Sequence, residues 1–334
     1  MLNSVEEIYK RERENLSKYA FRSENTTGRL NNLVESDGVR TDFQRDRDRI
    51  IHSKSFRRLM HKTQVFLDPE GDHYRTRLTH TLEVAQIGRT LSRALKLNED
   101  LTEAACLGHD LGHTPFGHCG EAILDNLHAG GFKHNEQSLR VIDKLEKNCT
   151  GLNLTHEVRD AILRHNGEQV AQTLEGKLVK LADRIAYINH DIDDAIRAKI
   201  LNFEELPREL IKILGETHSK RINAMVCSVI NESFDKNEIK MSAEIHEATT
   251  KLREFLFERV YFNQAARTEE KKVGQILEQL YQYFIINEHL LLPEYEPIIL
   301  NEGIERAVCD YIAGMTDRYA IHKYCELFVP NTWK

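Results

Sequence analysis

Residues 109–121 read HDLGHTPFGHCGE, and no other stretch restricts the fold of this chain as tightly. Three histidines and two carboxylates fall within thirteen residues, separated by three glycines and a proline. A segment whose only task is packing has no use for so many metal-ligating and proton-transferring groups. The glycines and Pro115 also stop a regular helix from running through it. The stretch therefore reads as the floor of an active site, placed between a helix expected over 101–111 and another expected over 117–127. Neighbouring side chains on a helix diverge by about 100°, so His109 and Asp110 can share one ion only where their helix is ending. An imidazole beside a carboxylate offers a mixed N/O donor set, suited to Mg, Mn, Fe, Ni or Zn rather than to a thiolate-selecting metal.

The flanking sequence is helical and points further groups inward. Over 77–95 the apolar stripe runs Val84, Ile87, Leu91 and Leu95, and counting back four from Val84 lands on His80. His109 follows Leu101 and Ala105 at the same spacing. Each of these histidines taken singly fits a hydrogen-bonded core residue as well as a ligand. Nine of the chain's 16 histidines, however, lie between His52 and His134, and random placement rarely clusters them so. His118 and Glu121 are three apart on one helical face, where a carboxylate fixes an imidazole's tautomer and raises its basicity. His134 follows in GGFKHNEQS. The helix expected over 177–197 has a core stripe of Leu178, Leu181, Ile185, Ile188, Ile192 and Ala195. Asp183, Tyr187 and Asp191 repeat every four residues on a different face. Asp, Tyr, Asp suits a polar pocket wall better than a solvated face, and Asp183 can complete a His/His/Asp/Asp metal set.

Composition narrows the class. The six cysteines form no CxxC pair, so neither a zinc knuckle nor a disulfide framework is indicated. No apolar run reaches membrane-spanning length and the charged N-terminal stretch is no signal sequence, which gives the cytoplasm as the default address. A net charge of −7 argues against general nucleic-acid binding. Residues 1–36 form a charged, turn-rich arm, read either as a subunit contact or as a terminus with no role. Over 40–66 aspartates alternate with some of the basic residues, which fits a solvated, ion-paired helix. Arg57, Arg58 and Lys62 have no such local partners, which fits a surface facing a polyanion. A turn is expected at 67–73. Beyond Lys199 the chain reads as amphipathic helices, and YIAGMTDRY near the end fits either a site or core packing.

Taken together, the segments RTDFQRDRDRIIHSKSFRRLMHKTQVF, RTRLTHTLEVAQIGR, HDLGHTPFGHCGE, FKHNEQS, LADRIAYINHDIDDA and DYIAGMTDRYA resemble, in colinear order, the HD-domain superfamily of metal-dependent phosphohydrolases. The close resemblance is to the bacterial deoxyguanosine triphosphate triphosphohydrolase-like proteins. The resemblance implies an all-α fold, with an arm over 1–36, an HD helical core over 37–200 and additional C-terminal helices over 201–334. It implies a divalent metal held by His80, His109, Asp110 and Asp183, and a catalytic pair His118 and Glu121 with His113 and His134 beside the phosphates. Arg77, Asn135 and Arg184 would meet the substrate, Tyr187 would stack by the sugar, and Gln64 and Asp191 would hydrogen-bond its 3′-hydroxyl. The implied reaction converts a dNTP to a deoxynucleoside and inorganic triphosphate. A homo-oligomer, a hexamer among the candidates, with allosteric dNTP sites is implied as well, and single-stranded DNA is a further candidate partner. FKHNEQ carries histidine where some longer relatives have glycine. The chain also lacks their long insertions, which leaves the base preference open. Other HD enzymes, such as nucleotide phosphatases or phosphodiesterases, and a nucleotide-sensing or nucleic-acid-binding protein are the competing readings.

Overall fold

A computed structural model describes residues 4–31, 37–64, 75–261 and 264–330. The turn expected at 67–73 lies outside them. The all-α expectation holds: among the described residues the extended pairings are two isolated bridges, Arg29 with Thr155 and Thr63 with Thr76. In chain order the principal helices are α1 (Val5–Asn15), α2 (Asp42–Ile51), α3 (Arg77–Ala94), α4 (Glu99–Gly108), α5 (Gly117–Leu127), α6 (His134–Arg140), α7 (His156–Arg164), α8 (Leu174–Arg197), α9 (His218–Ser233), α10 (Ala243–Leu256), α11 (Gln264–Ile286), α12 (Ile304–Ala313) and α13 (Asp317–Phe328). None of the described helices is long and apolar enough to cross a membrane.

The chain divides into two compact units. The first comprises Met1–Ile51, His80–His109 and Asn153–Asn263. Its axis is α8, which packs on α4, α7, α9 and α10. Thr173 starts α8 by accepting from the Gly176 amide at 3.0 Å, and Asn98 starts α4 by accepting from Leu101 at 3.2 Å. Leu178, Ile185, Ile188, Ile192 and Ala195 are fully buried, as the stripe requires, while Leu181 is half-buried. Each fully buried aliphatic side chain contributes about 1.5–3 kcal/mol, so this one face holds much of the unit together. The described part of the N-terminal segment is tied down by side chains. Glu157 accepts from Thr26 and Thr27, the Phe21 amide donates to Glu175 at 2.9 Å, and Arg29 pairs with Asp42 and with fully buried Asp46.

The second unit comprises His52–Thr79, Asp110–Leu152 and Gln264–Lys334. Here α11 packs on α5, α12 and α13 around Leu124, Leu277, Leu280, Phe284, Val308 and Ile312. Buried Asp310 on α12 collects Arg140, Arg306 and Gln137, which fixes α6 against α12. Lys62 departs from the polyanion-facing reading. Its buried ammonium donates to the carbonyls of His113 and Ala313, so the cation braces the histidine-rich loop from within. Burial, with the nearby Arg58 charge, pushes that ammonium down to about 7.

α4 ends at Gly108, three residues before the expected 111, and His109 is its C-cap. The cause is the turn that follows. Gly112 lies so close to α6 that a Cβ there would sit 2.1 Å from the Ser138 amide nitrogen and 2.5 Å from the His134 carbonyl oxygen. Both are backbone atoms and cannot swing away. Gly112→Ala is expected to destabilise the protein by about 3 kcal/mol, read by chemical denaturation. Unchanged stability would mean that the loop and α6 separate without cost.

Candidate metal centre and active site

In the first unit three potential ligands come together from three helices. His80 Nε2 on α3 lies 3.1 Å from Asp183 Oδ1 on α8, and His109 Nε2 at the end of α4 lies 3.7 Å from the same oxygen. Both histidines are buried. The Nδ1 of His109 lies 2.6 Å from the Cys106 carbonyl oxygen. A carbonyl only accepts, so Nδ1 carries the proton of the neutral ring and Nε2 presents a lone pair toward the carboxylate. His165 stands edge-on to His109, ring centroids 5.0 Å apart, and is fixed in the same way by its Nδ1 to the Ile162 carbonyl at 2.7 Å. Lone pairs facing a carboxylate repel unless a cation or a proton lies among them. Two imidazoles and one carboxylate fit a divalent cation of the borderline type. Asp110, the remaining expected ligand, follows His109 in the chain and belongs to the second unit.

Further along α8 Tyr187 is half-buried and Asp191 is buried, one and two turns beyond Asp183. Burial holds the Tyr187 phenol well above its ordinary value, with Arg253 working the other way. Arg184 is half-buried beside Asp183 in sequence. Arg253, on α10, is a residue the sequence reading passed over. Its guanidinium lies 4.9 Å from the Phe257 ring centroid, and its Nε is buried without a hydrogen-bond partner among the described residues. The available signal was an arginine among the apolar residues of LREFLF, with Glu254 the one other charged group there.

In the second unit Arg77 Nη1 pairs with Asp110 Oδ2 at 2.9 Å, both buried, and Arg77 Nη2 reaches the Gln64 carbonyl at 3.4 Å. Glu121 is shared by two histidines, and its shorter contacts are with His134. Its Oε1 lies 2.8 Å from both His134 Nδ1 and the His134 amide, against 3.6 Å from Oε2 to His118 Nδ1. The reading of Glu121 as the partner of His118 alone therefore widens. His118 is the exposed member, with 59% of its side chain accessible. His113 stacks on His134 at 4.2 Å, and its Nδ1 is buried without a hydrogen-bond partner among the described residues. Asn135 opens α6 half-buried.

These neighbours set the charges. Burial opposes ionisation of Glu121, but its bonds to His118 and His134 and the His134 charge outweigh that and hold the carboxyl far below its usual range. Burial likewise pushes His134 down, and the Glu121 bond and charge, with Asp110, lift it above its ordinary value. Burial pushes His113 well down, helped by the charges of Arg77 and His134. The stack thus pairs a ring biased toward the charged form with one biased toward the neutral form. Ligand atoms of Asp110, His113 and His134 lie within 4.8 Å of one another, but a proton on His134 and the Arg77 guanidinium on Asp110 already supply positive charge there.

Two family models match the chain: the HD domain over residues 77–188, and the phosphohydrolase-associated domain over 239–326. A deoxyguanosinetriphosphate triphosphohydrolase-like protein of Caldanaerobacter subterraneus subsp. tengcongensis is 59% identical over 318 residues, 95% of this chain and 94% of that protein. This chain belongs to that family of HD-domain phosphohydrolases. A relative of the same description from Clostridium perfringens is 52% identical over 335 residues, covering 98% of each. A solved phosphohydrolase from Bacteroides thetaiotaomicron shares the fold, with a TM-score of 0.54 at 18% identity, over 84% of this chain and 68% of that one. Membership makes the chain a hydrolase, and HD domains bind divalent metals. The His80, His109 and Asp183 group has the donor chemistry for such an ion.

The Glu121 and His134 pair makes a pH-dependent contribution to the stability of this HD phosphohydrolase. A raised histidine stabilises fully below the unfolded value of 6.5 and loses that contribution as pH rises through its folded value. A depressed carboxylate stabilises fully above the unfolded value of 4.5 and loses it as pH falls. The pair therefore counts most between 4.5 and 6.5. His134→Gln should cost about 2 kcal/mol in that window and clearly less near about pH 8.5, measured by denaturation across pH. A cost independent of pH would rule out the charged pair.

Proposed function

We propose that this chain is a metal-dependent dNTP triphosphohydrolase that cleaves at the α-phosphorus, releasing a deoxynucleoside and inorganic triphosphate. The observation that supports this most is the convergence of His80 Nε2 and His109 Nε2 on Asp183 Oδ1, at 3.1 and 3.7 Å. Similarity to relatives described as triphosphohydrolase-like gives the substrate class its support. In this reading His80, His109, Asp110 and Asp183 hold the ion. A divalent cation bound there would neutralise charge on the α-phosphate and activate water.

The residues of the chain supply the rest. The departing 5′-oxygen of the sugar is a poor leaving group and needs a proton. His118 is assigned that role because its ring is accessible and its Nδ1 faces Glu121, which leaves Nε2 for the substrate. Neutral His113 donates or accepts a hydrogen bond without adding charge, whereas protonated His134 adds positive charge to the site. Arg77, Arg184 and Asn135 are assigned to the phosphates, where guanidinium forks match phosphate oxygens. Tyr187 closes the sugar's 2′ face, and its phenol stays protonated through burial. Gln64 and Asp191 are assigned to the 3′-hydroxyl. The Gln64 Oε1 is buried without a hydrogen-bond partner among the described residues, which suits a group reserved for a ligand hydroxyl.

Incubating the protein with a panel of dNTPs and NTPs, with Mg or Mn, is expected to release triphosphate from dNTPs, and chelation is expected to abolish the release. Orthophosphate or pyrophosphate as the product would instead favour a phosphatase or another HD chemistry. Binding without any turnover would favour a sensor. His118→Ala should keep metal and nucleotide binding while lowering turnover by about 10²-fold or more. Wild-type turnover in that variant would remove His118 from the proton-donor role.

A further inference from the structure

We infer that Glu83 and His190 form a relay that fixes the tautomer of His80, and are positioning residues for the metal site. This rests on the metal reading proposed above. No role has been given to either residue so far, although both belong to the same unit as His80, His109 and Asp183. His190, on α8, is buried, and its Nδ1 lies 3.5 Å from His80 Nδ1, the rings perpendicular with centroids 5.7 Å apart. Its other nitrogen, Nε2, lies 3.3 Å from Glu83 Oε2 on α3. The sequence of groups is therefore Glu83 carboxylate, His190, His80, Asp183 carboxylate.

With both rings neutral, two proton arrangements fit that chain. In the first, His190 carries its proton on Nε2 toward Glu83, its Nδ1 accepts from His80 Nδ1, and His80 Nε2 is left with a lone pair for a cation. In the second, both rings are turned over in tautomer. His80 Nε2 then donates to Asp183, His80 Nδ1 accepts from His190 Nδ1, and the His190 Nε2 lone pair faces the Glu83 carboxylate at 3.3 Å. Each arrangement sets one lone pair against a carboxylate, Asp183 at 3.1 Å in the first and Glu83 at 3.3 Å in the second. A cation among His80, His109 and Asp183 relieves the first and not the second, so the Glu83 charge and the ion together select the first. His109 needs no such relay, because the Cys106 carbonyl already fixes it. The same requirement, a protonated Nδ1 and a bare Nε2, is met for one ligand by the backbone and for the other by a carboxylate acting through a second imidazole.

The test titrates metal-free protein with Co(II) and Mn(II). Affinity is read from visible absorption and from metal retained after dialysis, and the protonated nitrogen of His80 is read from ring-nitrogen NMR. Glu83 is partly exposed, with 39% of its side chain accessible, so Glu83→Gln is expected to fold with an unchanged metal-free unfolding temperature. It should weaken metal binding roughly ten- to hundredfold and move the His80 proton toward Nε2. His190→Asn should do the same. His218→Ala should not, because the ring it removes, stacked on His190 at 5.9 Å and 3.7 Å from Asp193, touches neither Glu83 nor His80 in the relay. Wild-type affinity and an unmoved His80 proton in Glu83→Gln would overturn the relay while leaving the metal site standing. A wild-type protein that retains no metal would overturn the metal reading, and the relay with it.

Discussion

The constraint on which this structure turns is the Asp183 carboxylate facing imidazole nitrogens whose other ring atoms are already committed. Lone pairs brought together in a buried place are costly, and a fold keeps them there only if the surrounding helices cannot relax. The axis helix α8 meets that condition: Leu178, Ile185, Ile188 and Ile192 on the face it buries are fully enclosed. Moving Asp183 away would mean withdrawing that whole stripe. The energetics of the apolar face therefore hold the polar face in place, which is how a few kcal/mol of ligand repulsion survives in a marginally stable chain.

The second unit solves a different problem, the shaping of a glycine-broken loop that carries reactive side chains. Buried groups from distant parts of the sequence brace it. Lys62 bonds the His113 and Ala313 carbonyls, while Asp317 accepts from the Thr63 amide at 3.0 Å and the Phe116 amide at 2.9 Å. Phe116 itself has a left-handed backbone, φ 62°, which a bulky residue adopts only under such restraint. Asp317, in DYIAGMTDRYA, thus does for the loop what a cap does for a helix: it occupies donors that the irregular backbone leaves open. The motif near the chain's end, which fits a site or core packing equally well in sequence, has this structural job.

Much of this was legible in the residues. His80 emerged from counting back along an apolar stripe, and the stripe is buried as expected. Asp183, Tyr187 and Asp191 emerged from a four-residue repeat that solvent does not explain. What stayed hidden depended on contacts between segments. The preference of Glu121 for His134 over His118 is set by the turn between α5 and α6, residues 128–133, which no periodicity describes. Lys62 looked like a surface cation because local sequence contains no record of the carbonyls it meets. His190 and Glu83 did leave a trace. His190 is two helical turns beyond Asp183, and Glu83 one turn beyond His80, so each falls on the same face as a ligand. A rule that looks only for ligands has no reason to read that trace.

The histidines finally illustrate how one residue type is given opposite duties by its surroundings. His109 is bound through Nδ1 to a carbonyl, which cannot donate, so Nδ1 carries a proton and Nε2 is the atom turned to Asp183. His134 is bound through the same atom to a carboxylate that burial and its neighbours keep ionised, so the ring is held as a cation. His113, stacked on that ring and close to Arg77, is held toward the neutral form, with one ring proton. The three differ in what stands beside each ring: the Cys106 carbonyl at the C-terminus of α4, the Glu121 carboxylate of α5, and the charges of His134 and Arg77. Phosphoryl chemistry needs a ligand, a positive charge and a neutral hydrogen-bonding group at once. A sequence rich in histidine is therefore not enough: it is the group beside each ring that decides which role it can take.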